Sequence, residues 1–188
     1  MLKRLIRNLK FHISDSLAIF TESYPIFVIF EIYIAGMSIQ TSITARISGL
    51  ILTLLGLGWV YGFLRGFFRR IFNLTQSNLK IQSFFDLSYN CLFNIFISMI
   101  FGIIYFFAGA DSWKQIFIGV LSSAIFGIVN GAPLGFCIDL FRNFFGLEEN
   151  RINNLIQMER NYKFLIGVLI IFISSMIILE LYLIKIYY

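Results

Sequence analysis

Five long blocks of mostly apolar residues restrict the fold of this sequence more than any other feature. The blocks cover residues 17–35, 47–64, 87–110, 116–138 and 164–184. An α-helix rises about 1.5 Å per residue, so each block can cross a hydrocarbon core about 30 Å thick. In lipid, backbone groups are satisfied only within a helix or a closed barrel, and barrel strands are shorter and alternate apolar with polar residues. The sequence therefore predicts an all-α integral membrane protein with five spans.

The composition excludes a water-soluble domain. Hydrophobic residues make up 59% of the 188 residues and charged residues only 13%, whereas soluble domains have about 45–50% and about 25%. The net charge of +5 would suit a nucleic-acid-binding protein, but the basic residues cluster between the apolar blocks and so indicate membrane topology instead. We therefore expect membrane lipid around the chain and no nucleic acid as a partner.

The sequence has no group of residues with the spacing of a catalytic or metal-binding site. Its only histidine, His12, precedes the first block, and Cys91 and Cys137 lie inside predicted helices without a partner at metal-ligand spacing. It also has no glycine-rich phosphate-binding loop. We predict that the protein is not an enzyme, has no catalytic residues and binds neither a metal nor a cofactor.

The lysines and arginines predict the orientation in the membrane. Three connections carry most of them: Lys3, Arg4, Arg7 and Lys10; Arg65, Arg69, Arg70 and Lys80; and Arg142, Arg151, Arg160 and Lys163. The opposite side holds only Arg46, Lys114 and Lys185. Because cytoplasmic loops are rich in Lys and Arg, we predict a multi-pass protein of the bacterial inner membrane with a cytoplasmic N-terminus. If the last block lay on the membrane surface, the chain would have four spans.

The first four blocks resemble two copies of one helical hairpin. A shift of about 72 positions pairs Asp15 with Asp86, Ala35-Gly36 with Ala108-Gly109, Gly58 with Gly131, Gly62 with Gly135, and Arg69 with Arg142. Since each hairpin crosses the membrane twice, the copies must be parallel repeats about an axis along the membrane normal. This predicts a four-helix domain at 1–145, with hairpins at about 13–72 and 84–145, a cytoplasmic connector at 146–163, and an extra helix with a short tail at 164–188.

Small residues recur every four positions on two of the spans. They include Gly58 and Gly62 on the second span and Gly127, Gly131 and Gly135 on the fourth. Such faces let helix backbones approach closely, which matters in lipid because no hydrophobic effect drives helices together. We expect packing within the chain, while one face remains available for a homodimer. Pro133 on the fourth span frees a carbonyl and bends the helix, either as a mobile gate or as a fixed kink.

The third span carries polar residues every four positions, namely Asp86, Asn90 and Asn94. Polar side chains at this depth face the bundle interior or a water-filled cavity. The stripe is therefore either an interhelical hydrogen-bond ladder or the wall of a solute path, and the sequence leaves both open. At the cytoplasmic ends of the spans, Asp15, Asp86 and Asp139 have the simplest interpretation of solvated residues near helix termini, while Asp15 and Asp86 are also candidates for a solute path.

The first span carries acidic residues at unusual depth. A charged residue at mid-membrane costs about 2.5–3.5 kcal/mol on insertion scales, so Glu22 and Glu31 should be paired, hydrated or protonated. At about 100° per residue, Asp15 and Glu22 share a helix face, whereas Glu31 points nearly the opposite way. Arg46 begins the second span across a short turn from Glu31. We expect these two to pair, either as a structural contact or as part of a substrate site.

The four spans also carry a series of short motifs in a fixed order. They are Asp15-Ser16-Leu17-Ala18, Glu31, AGMS (35–38), Arg46, Tyr61-Gly62, Arg65, Asp86, GADSW (109–113), Gln115, Ser122 and GAPLGFCIDLFR (131–142). In order and spacing this series resembles the AlaE family of bacterial L-alanine exporters over about residues 12 to 145. Glu22 and the fifth span lie outside the family pattern.

The resemblance implies a small inner-membrane protein that exports L-alanine, or a closely related small amino acid, by coupling to protons. A zwitterionic substrate needs a cation, oxygen ligands for its ammonium group and a small cavity. We assign the substrate or proton path to Asp15, Glu31, Arg46, Asp86, Asn90 and Asn94. Four helices leave little room for such a path, which favours a homodimer. The alternative interpretations are a non-transporting membrane subunit that binds partner helices through its glycine faces, and a small channel.

Overall fold

The structure, a computed structural model, describes residues 2–74, 78–147 and 160–187. Within these ranges it consists of helices, without a β-strand, and confirms the predicted all-α class. The helices are α1 (Leu2–Ile29), α2 (Ile39–Leu52), α3 (Gly58–Ile71), α4 (Leu79–Phe107), α5 (Trp113–Phe144) and α6 (Arg160–Tyr187). Most of the predicted connector at 146–163 lies outside the described residues.

Four helical segments of the described chain are long and apolar enough to cross a membrane. They are Ile6–Ile34, Ile39–Ile71, Leu79–Phe107 and Tyr162–Tyr187. A fifth candidate span is α5, whose two parts Trp113–Gly127 and Val129–Phe144 meet at 64°. The protein is therefore multi-pass, with four or five spans.

The bend in α5 lies where the sequence predicts a helix distortion. Pro133 has no backbone N–H and its ring collides with the carbonyl four residues earlier, which belongs to Val129. The bend begins at that residue. A missing hydrogen bond at this point makes α5 easier to bend than an uninterrupted helix.

The three acidic residues of the first span face different neighbours, as predicted from their spacing. The side chains of Asp15 and Glu22 both contact α5, where their partners are Arg142 and Asn130. Glu31 lies in a π-helical turn, Phe30–Ile34, that continues α1, and its side chain contacts α2. Asp15 and Glu22 therefore share a helix face, and Glu31 points to another part of the bundle.

The second span is interrupted between α2 and α3. A π-helical turn, Thr53–Leu57, joins the two helices, and within it Gly56 has a φ of 144°. This backbone conformation is almost restricted to glycine. The break lets α3 begin a new helical register, which sets the direction of the side chains that follow Gly58.

We predict that Gly56→Ala destabilises the protein. A side chain at this φ introduces backbone strain of about 1–3 kcal/mol, although a Cβ atom there would meet no neighbour within 4 Å. The apparent melting temperature of the purified variant in detergent should fall. Gly66→Ala is the matched control, since Gly66 is helical and its Cβ position is also open. Equal melting temperatures for the two variants would contradict the prediction.

The two hairpins have turns of the same construction. Each first helix ends before a glycine of positive φ, Gly36 at 69° and Gly109 at 84°. Each second helix then begins with a serine cap, because Ser38 accepts a hydrogen bond from the Thr41 N–H and Ser112 accepts one from the Gln115 N–H. Both hairpins are therefore closed by a short glycine-serine turn.

These turns also contact each other reciprocally. The Thr41 hydroxyl of the first hairpin donates to the Gly109 carbonyl of the second at 3.2 Å. The Gln115 amide of the second hairpin donates to the Gly36 carbonyl of the first at 2.8 Å. The two turns therefore lie side by side at one end of the bundle, which is called the turn end below.

The glycine faces pack against helices of the same chain. A Cβ atom at Gly58 would lie 2.6 Å from Ser16 Oγ on α1, and one at Gly131 would lie 2.4 Å from Leu87 Cα on α4. Similar crowding is found at Gly62, Gly127 and Gly135. Since these faces are occupied within the chain, a homodimer would have to use another surface.

The sixth helix is attached along α1. The Ser174 hydroxyl donates to the Thr21 carbonyl at 2.8 Å, and the Tyr33 hydroxyl donates to the Leu181 carbonyl at 2.9 Å. Near its start, Gly167 lies against the Phe144 ring of α5. The extra helix is therefore held by polar as well as apolar contacts, and it covers one flank of the bundle.

Candidate functional site

Four charged side chains are buried together at the end of the bundle opposite the turns. Arg65 is fully buried on α3. Its guanidinium donates to Asp86 at 2.9 Å from Nε and from Nη2, and to Asp139 at 2.7 Å from Nη1. Arg69, one turn further along α3, donates to Asp86 at 2.7 Å and to Asp139 at 3.3 Å. We call these four residues the charge cluster, and their formal charges balance.

A second buried pair lies beside the charge cluster. Arg142 of α5 donates to both carboxylate oxygens of Asp15 on α1, at 2.7 and 2.8 Å, and to the Gly62 carbonyl at 3.2 Å. This bidentate geometry fixes the two side chains more tightly than a single contact does. The pair also lines an open vestibule of about 930 Å³, together with Arg7, Arg70 and other residues of α1 and α3.

The two hairpins exchange their charged partners. Asp15 of the first hairpin binds Arg142 of the second, and Asp86 of the second hairpin binds Arg69 of the first. Each aspartate also lies against the glycine of its own hairpin that permits the close approach. A Cβ atom at Gly62 would lie 1.8 Å from Asp15 Oδ2, and one at Gly135 would lie 2.3 Å from Asp86 Oδ2.

The expectation of solvated aspartates at the helix ends was wrong. Asp15, Asp86 and Asp139 are each at most 1% exposed and are all ion-paired. Their arginine partners were attributed to the connecting loops because hydropathy falls at the span ends. Burial of these charges is sustained by neutralising pairs and further hydrogen bonds.

The burial of these arginines could have been predicted from their spacing relative to the glycines. Arg65 follows Gly62 by three residues and Arg69 follows Arg65 by four. Residues three and four apart lie on one helix face. The arginines therefore continue the buried glycine face of α3, and Asp139 and Arg142 continue the face of Gly135 in the same way.

Another ion pair lies toward the turn end. Arg46 Nη2 donates directly to Glu31 Oε1, and the Ser42 hydroxyl donates to Glu31 Oε2 at 2.6 Å. The Tyr182 hydroxyl of α6 lies 3.1 Å from that of Ser42. The predicted pairing of Glu31 with Arg46 is confirmed, and the extra helix completes its surroundings. We call Glu31 and Arg46 the turn-end pair.

Arg46 keeps unused hydrogen-bonding capacity. Its Nε and Nη1 atoms are buried and have no hydrogen-bond partner in the described part of the chain. The guanidinium carbon instead lies 4.6 to 5.3 Å from the ring centres of Phe101, Phe27 and Tyr24. Such contacts stabilise a cation without consuming its donors. Arg46 is thus a buried cation with free N–H groups.

A central cavity lies between the turn-end pair and the charge cluster. It offers about 70 Å³ of space to water-sized molecules and is partly open to the surroundings. Its polar lining consists of Ser23, Tyr24, Thr53, Tyr61, Asn90, Asn94 and Asn130. Phe27, Phe101 and Tyr24, the rings around Arg46, line it as well. A single layer of aromatic side chains therefore separates Arg46 from the cavity.

The polar stripe of α4 extends from the charge cluster into this cavity. Asn90 accepts a hydrogen bond from the Tyr61 hydroxyl at 3.1 Å and donates to the Gly127 carbonyl at 2.8 Å. Asn94, one turn further, packs against Gly127 and also lines the cavity. Asn90 therefore takes part in interhelical hydrogen bonds, and both amides also line the cavity.

The six residues assigned to a path from the sequence thus fall into three groups along the bundle. Asp15 and Asp86 lie at the end opposite the turns, Asn90 and Asn94 lie at the central cavity, and Glu31 and Arg46 lie toward the turn end. Within the described ranges, no group of three or more His, Cys, Asp or Glu side chains is arranged to hold a metal ion.

This combination of apolar spans, buried ion pairs and an interior cavity with several polar side chains defines a multi-pass helical membrane protein with charged and polar groups in its interior. The family model of the L-alanine exporter AlaE matches residues 4–148. The chain belongs to this family, which confirms the resemblance seen in the sequence. The family is one of transport proteins and is not an enzyme class. The match ends before α6, so the extra helix lies outside it.

Individual relatives are similar to the chain over most of their length. The L-alanine exporters AlaE of Salmonella arizonae and of Escherichia coli strain K12 are each 26% identical over 138 residues, which cover 73% of this chain and 89% of the relative. The corresponding protein of Cronobacter sakazakii is 24% identical over 73% of this chain and 84% of its own length. No solved structure matches the chain.

Proposed function

We propose that this chain exports L-alanine, or a closely related small amino acid, across the bacterial inner membrane in exchange for protons. The observation that carries the proposal is the central cavity, a largely apolar space at membrane depth that holds several polar side chains and has buried ion pairs on both sides. Polar and ionisable groups in a membrane mark substrate or ion pathways because lipid penalises them strongly. With the predicted cytoplasmic N-terminus, the vestibule faces the cytoplasm and the turn end faces outward.

The cavity offers complementary groups for a small zwitterion. Arg46 supplies a cation with free N–H groups for the carboxylate, once one of the surrounding rings turns aside. The side-chain oxygens of Asn90, Asn94 and Ser23 accept hydrogen bonds from the ammonium group. Phe27 and the other apolar lining residues then limit the size of the side chain, which favours a methyl group.

The ion pairs on either side act as barriers in this proposal. The Asp15–Arg142 pair and the charge cluster separate the cavity from the cytoplasmic vestibule, and the turn-end pair separates it from the outside. Export requires the two barriers to open alternately, as in other secondary transporters. The bend of α5 near Pro133 is the natural place for this movement, because the helix already lacks a backbone hydrogen bond there.

The reciprocal contacts between the hairpins support the internal duplication predicted from the sequence. Both ends of the bundle show exchanged partners, in the turns and in the aspartate–arginine pairs. Two parallel repeats around an axis along the membrane normal would produce this arrangement. The predicted homodimer would form through a surface other than the packed glycine faces.

We predict that Arg46→Ala and Asp86→Asn each abolish most of the export activity. Each change removes one partner of a buried ion pair, which costs about 3–5 kcal/mol of stability, so we expect export to fall at least about tenfold when it is normalised to the folded protein in the membrane. Cells that express each variant are loaded with an alanine-containing dipeptide, and intracellular and external alanine are followed over time. Membrane levels of the protein are measured in parallel.

The chain supplies matched controls for these two variants. Lys114→Ala and Asp111→Asn remove charges from exposed residues near the turns, so they should leave export unchanged. Normal export by Arg46→Ala and Asp86→Asn would exclude the proposed roles. If the wild-type protein leaves intracellular alanine unchanged, it is a non-transporting subunit. If its alanine flux is insensitive to collapse of the proton gradient, the protein is a channel.

A further inference from the structure

Glu22 is a carboxylate at membrane depth that the proposed barriers do not use. Its Oε2 accepts hydrogen bonds from the Ser23 hydroxyl at 2.7 Å and from the Asn130 amide of α5 at 2.6 Å. Within the described chain, no lysine or arginine lies at ion-pair distance from it. Both donors are neutral, so the negative charge of an ionised Glu22 is not balanced locally.

The four fully buried carboxylates differ from the partly buried Glu22 in this respect. Asp15, Asp86, Asp139 and Glu31 are each held by one or two arginines. Protonation of any of these would leave a buried guanidinium without its counter-charge, which is strongly unfavourable. Protonation of Glu22 instead removes an uncompensated charge from the low-dielectric interior. Of the five acids, Glu22 is therefore the one best suited to gain and lose a proton.

Among the described residues, no ion pair forms between Glu22 and a lysine or arginine. Tyr61 on α3 and Cys137 on α5 are titratable groups that interact electrostatically with Glu22. The neighbouring part of α6 presents the Ser174 hydroxyl, which donates to the Thr21 carbonyl. On α4, the neutral amide of Asn90 lines the same cavity as Ser23. Arg46 of α2 is already engaged with the acidic group of the turn-end pair.

The two hydrogen-bond donors connect Glu22 to the cavity and to the bend. Ser23 and Asn130 both line the central cavity. Asn130 also follows the bend of α5 directly, between Val129 and Pro133. Hydrogen bonds to an ionised carboxylate are about twice as strong as those between neutral groups. Protonation therefore weakens the α1–α5 contact at the point where α5 is easiest to bend.

We propose that Glu22, with Ser23 and Asn130, is a proton-binding site that couples proton uptake to movement of α5 and to the shape of the cavity. The inference rests on the proposed export function and identifies the group that carries the coupled proton. In the step, a proton from the outside adds to a Glu22 carboxylate oxygen to give the neutral acid. It is released to the cytoplasm after α5 has moved, so no other reactant is required.

The test uses the full-length protein in proteoliposomes and two assays. In the first, a pH gradient drives accumulation of radiolabelled L-alanine. In the second, labelled and unlabelled L-alanine exchange at equal pH on both sides, which requires no net proton movement. We expect Glu22→Gln to reduce driven accumulation at least about tenfold and to leave exchange within about twofold of the wild-type rate. Glu180→Gln, at an exposed glutamate of α6, should change neither.

Two outcomes would overturn the proposal. If Glu22→Gln retains driven accumulation, the proton is carried elsewhere, and if it loses exchange as well, Glu22 has a structural or substrate-binding role. A wild-type protein that moves no alanine in either assay would contradict the export function instead. Infrared difference spectra between high and low pH test protonation of Glu22 independently of transport. A protonated-carboxyl band that is present in the wild type and absent in Glu22→Gln supports the site, and identical spectra exclude it.

Discussion

Replacement of Arg65 by methionine is expected to prevent the chain from forming its folded state in the membrane. Arg65 binds Asp86, Asp139 and the Gly135 carbonyl from a fully buried position. Without it, Arg69 alone faces two carboxylates, and the charge cluster holds one uncompensated negative charge. Breaking a buried ion pair from one side typically costs about 3–5 kcal/mol, which is a large part of the stability of a domain. The monodisperse fraction after extraction into mild detergent should fall sharply.

Two further variants separate loss of charge balance from loss of the side chain itself. Arg70→Met removes an exposed arginine of the same helix and should extract as the wild type does. The double variant Arg65→Met with Asp139→Leu restores the balance of charges, so it should recover part of the folded fraction lost in the single variant. A double variant that is worse than the sum of its single variants would show that charge balance is not what matters.

Substitution of Gly62 by alanine is expected to have an effect of similar size, for a different reason. The new Cβ atom would lie 1.8 Å from Asp15 Oδ2 and 2.7 Å from Arg142 Nη2. The bidentate pair cannot keep its geometry with a methyl group in that place, and its disruption costs about 3–5 kcal/mol. Thermal stability in detergent and alanine export should both be lost.

Gly66→Ala is the matched control for this prediction. Gly66 lies four residues further along the same helix, and nothing lies within 4 Å of its Cβ position. Alanine is the better helix former by about 1 kcal/mol, so this variant should be as stable as the wild type or slightly more so. If the two alanine variants behave alike, the packing of α1 against α3 differs from the one described.

The helical spans could be predicted from the sequence because membrane thickness fixes their length and lipid fixes their secondary structure. The break within the second span could not, since neither its π-helical turn nor the positive φ of Gly56 leaves a trace in hydropathy. Pro133 did indicate a bend in α5. Its size depends on how α5 packs against α1 and α4, which are contacts that sequence periodicity does not specify.

The candidate site could be predicted only in part. Glu31 and Arg46 were expected to pair because a short turn joins their helices, and local connections restrict distance. Asp15 and Arg142 are far apart in the sequence, and only the assembled bundle brings them together. The hydrogen bond from Asn130 to Glu22 is hidden for the same reason, although Glu22 stood out as an acidic residue inside an apolar span.

The exchange of charged partners between the hairpins has a consequence for biosynthesis. When the ribosome has released only the first hairpin, Asp15, Arg65 and Arg69 have already reached the translocon, while Asp86, Asp139 and Arg142 have not yet been synthesised. Until the second hairpin is made, the charges of Asp15, Arg65 and Arg69 therefore lack their partners at the edge of the membrane. Synthesis of the second hairpin supplies the missing partners, which removes the free-energy cost of unpaired charges in both hairpins. The two hairpins therefore become stable in the bilayer together and not one after the other.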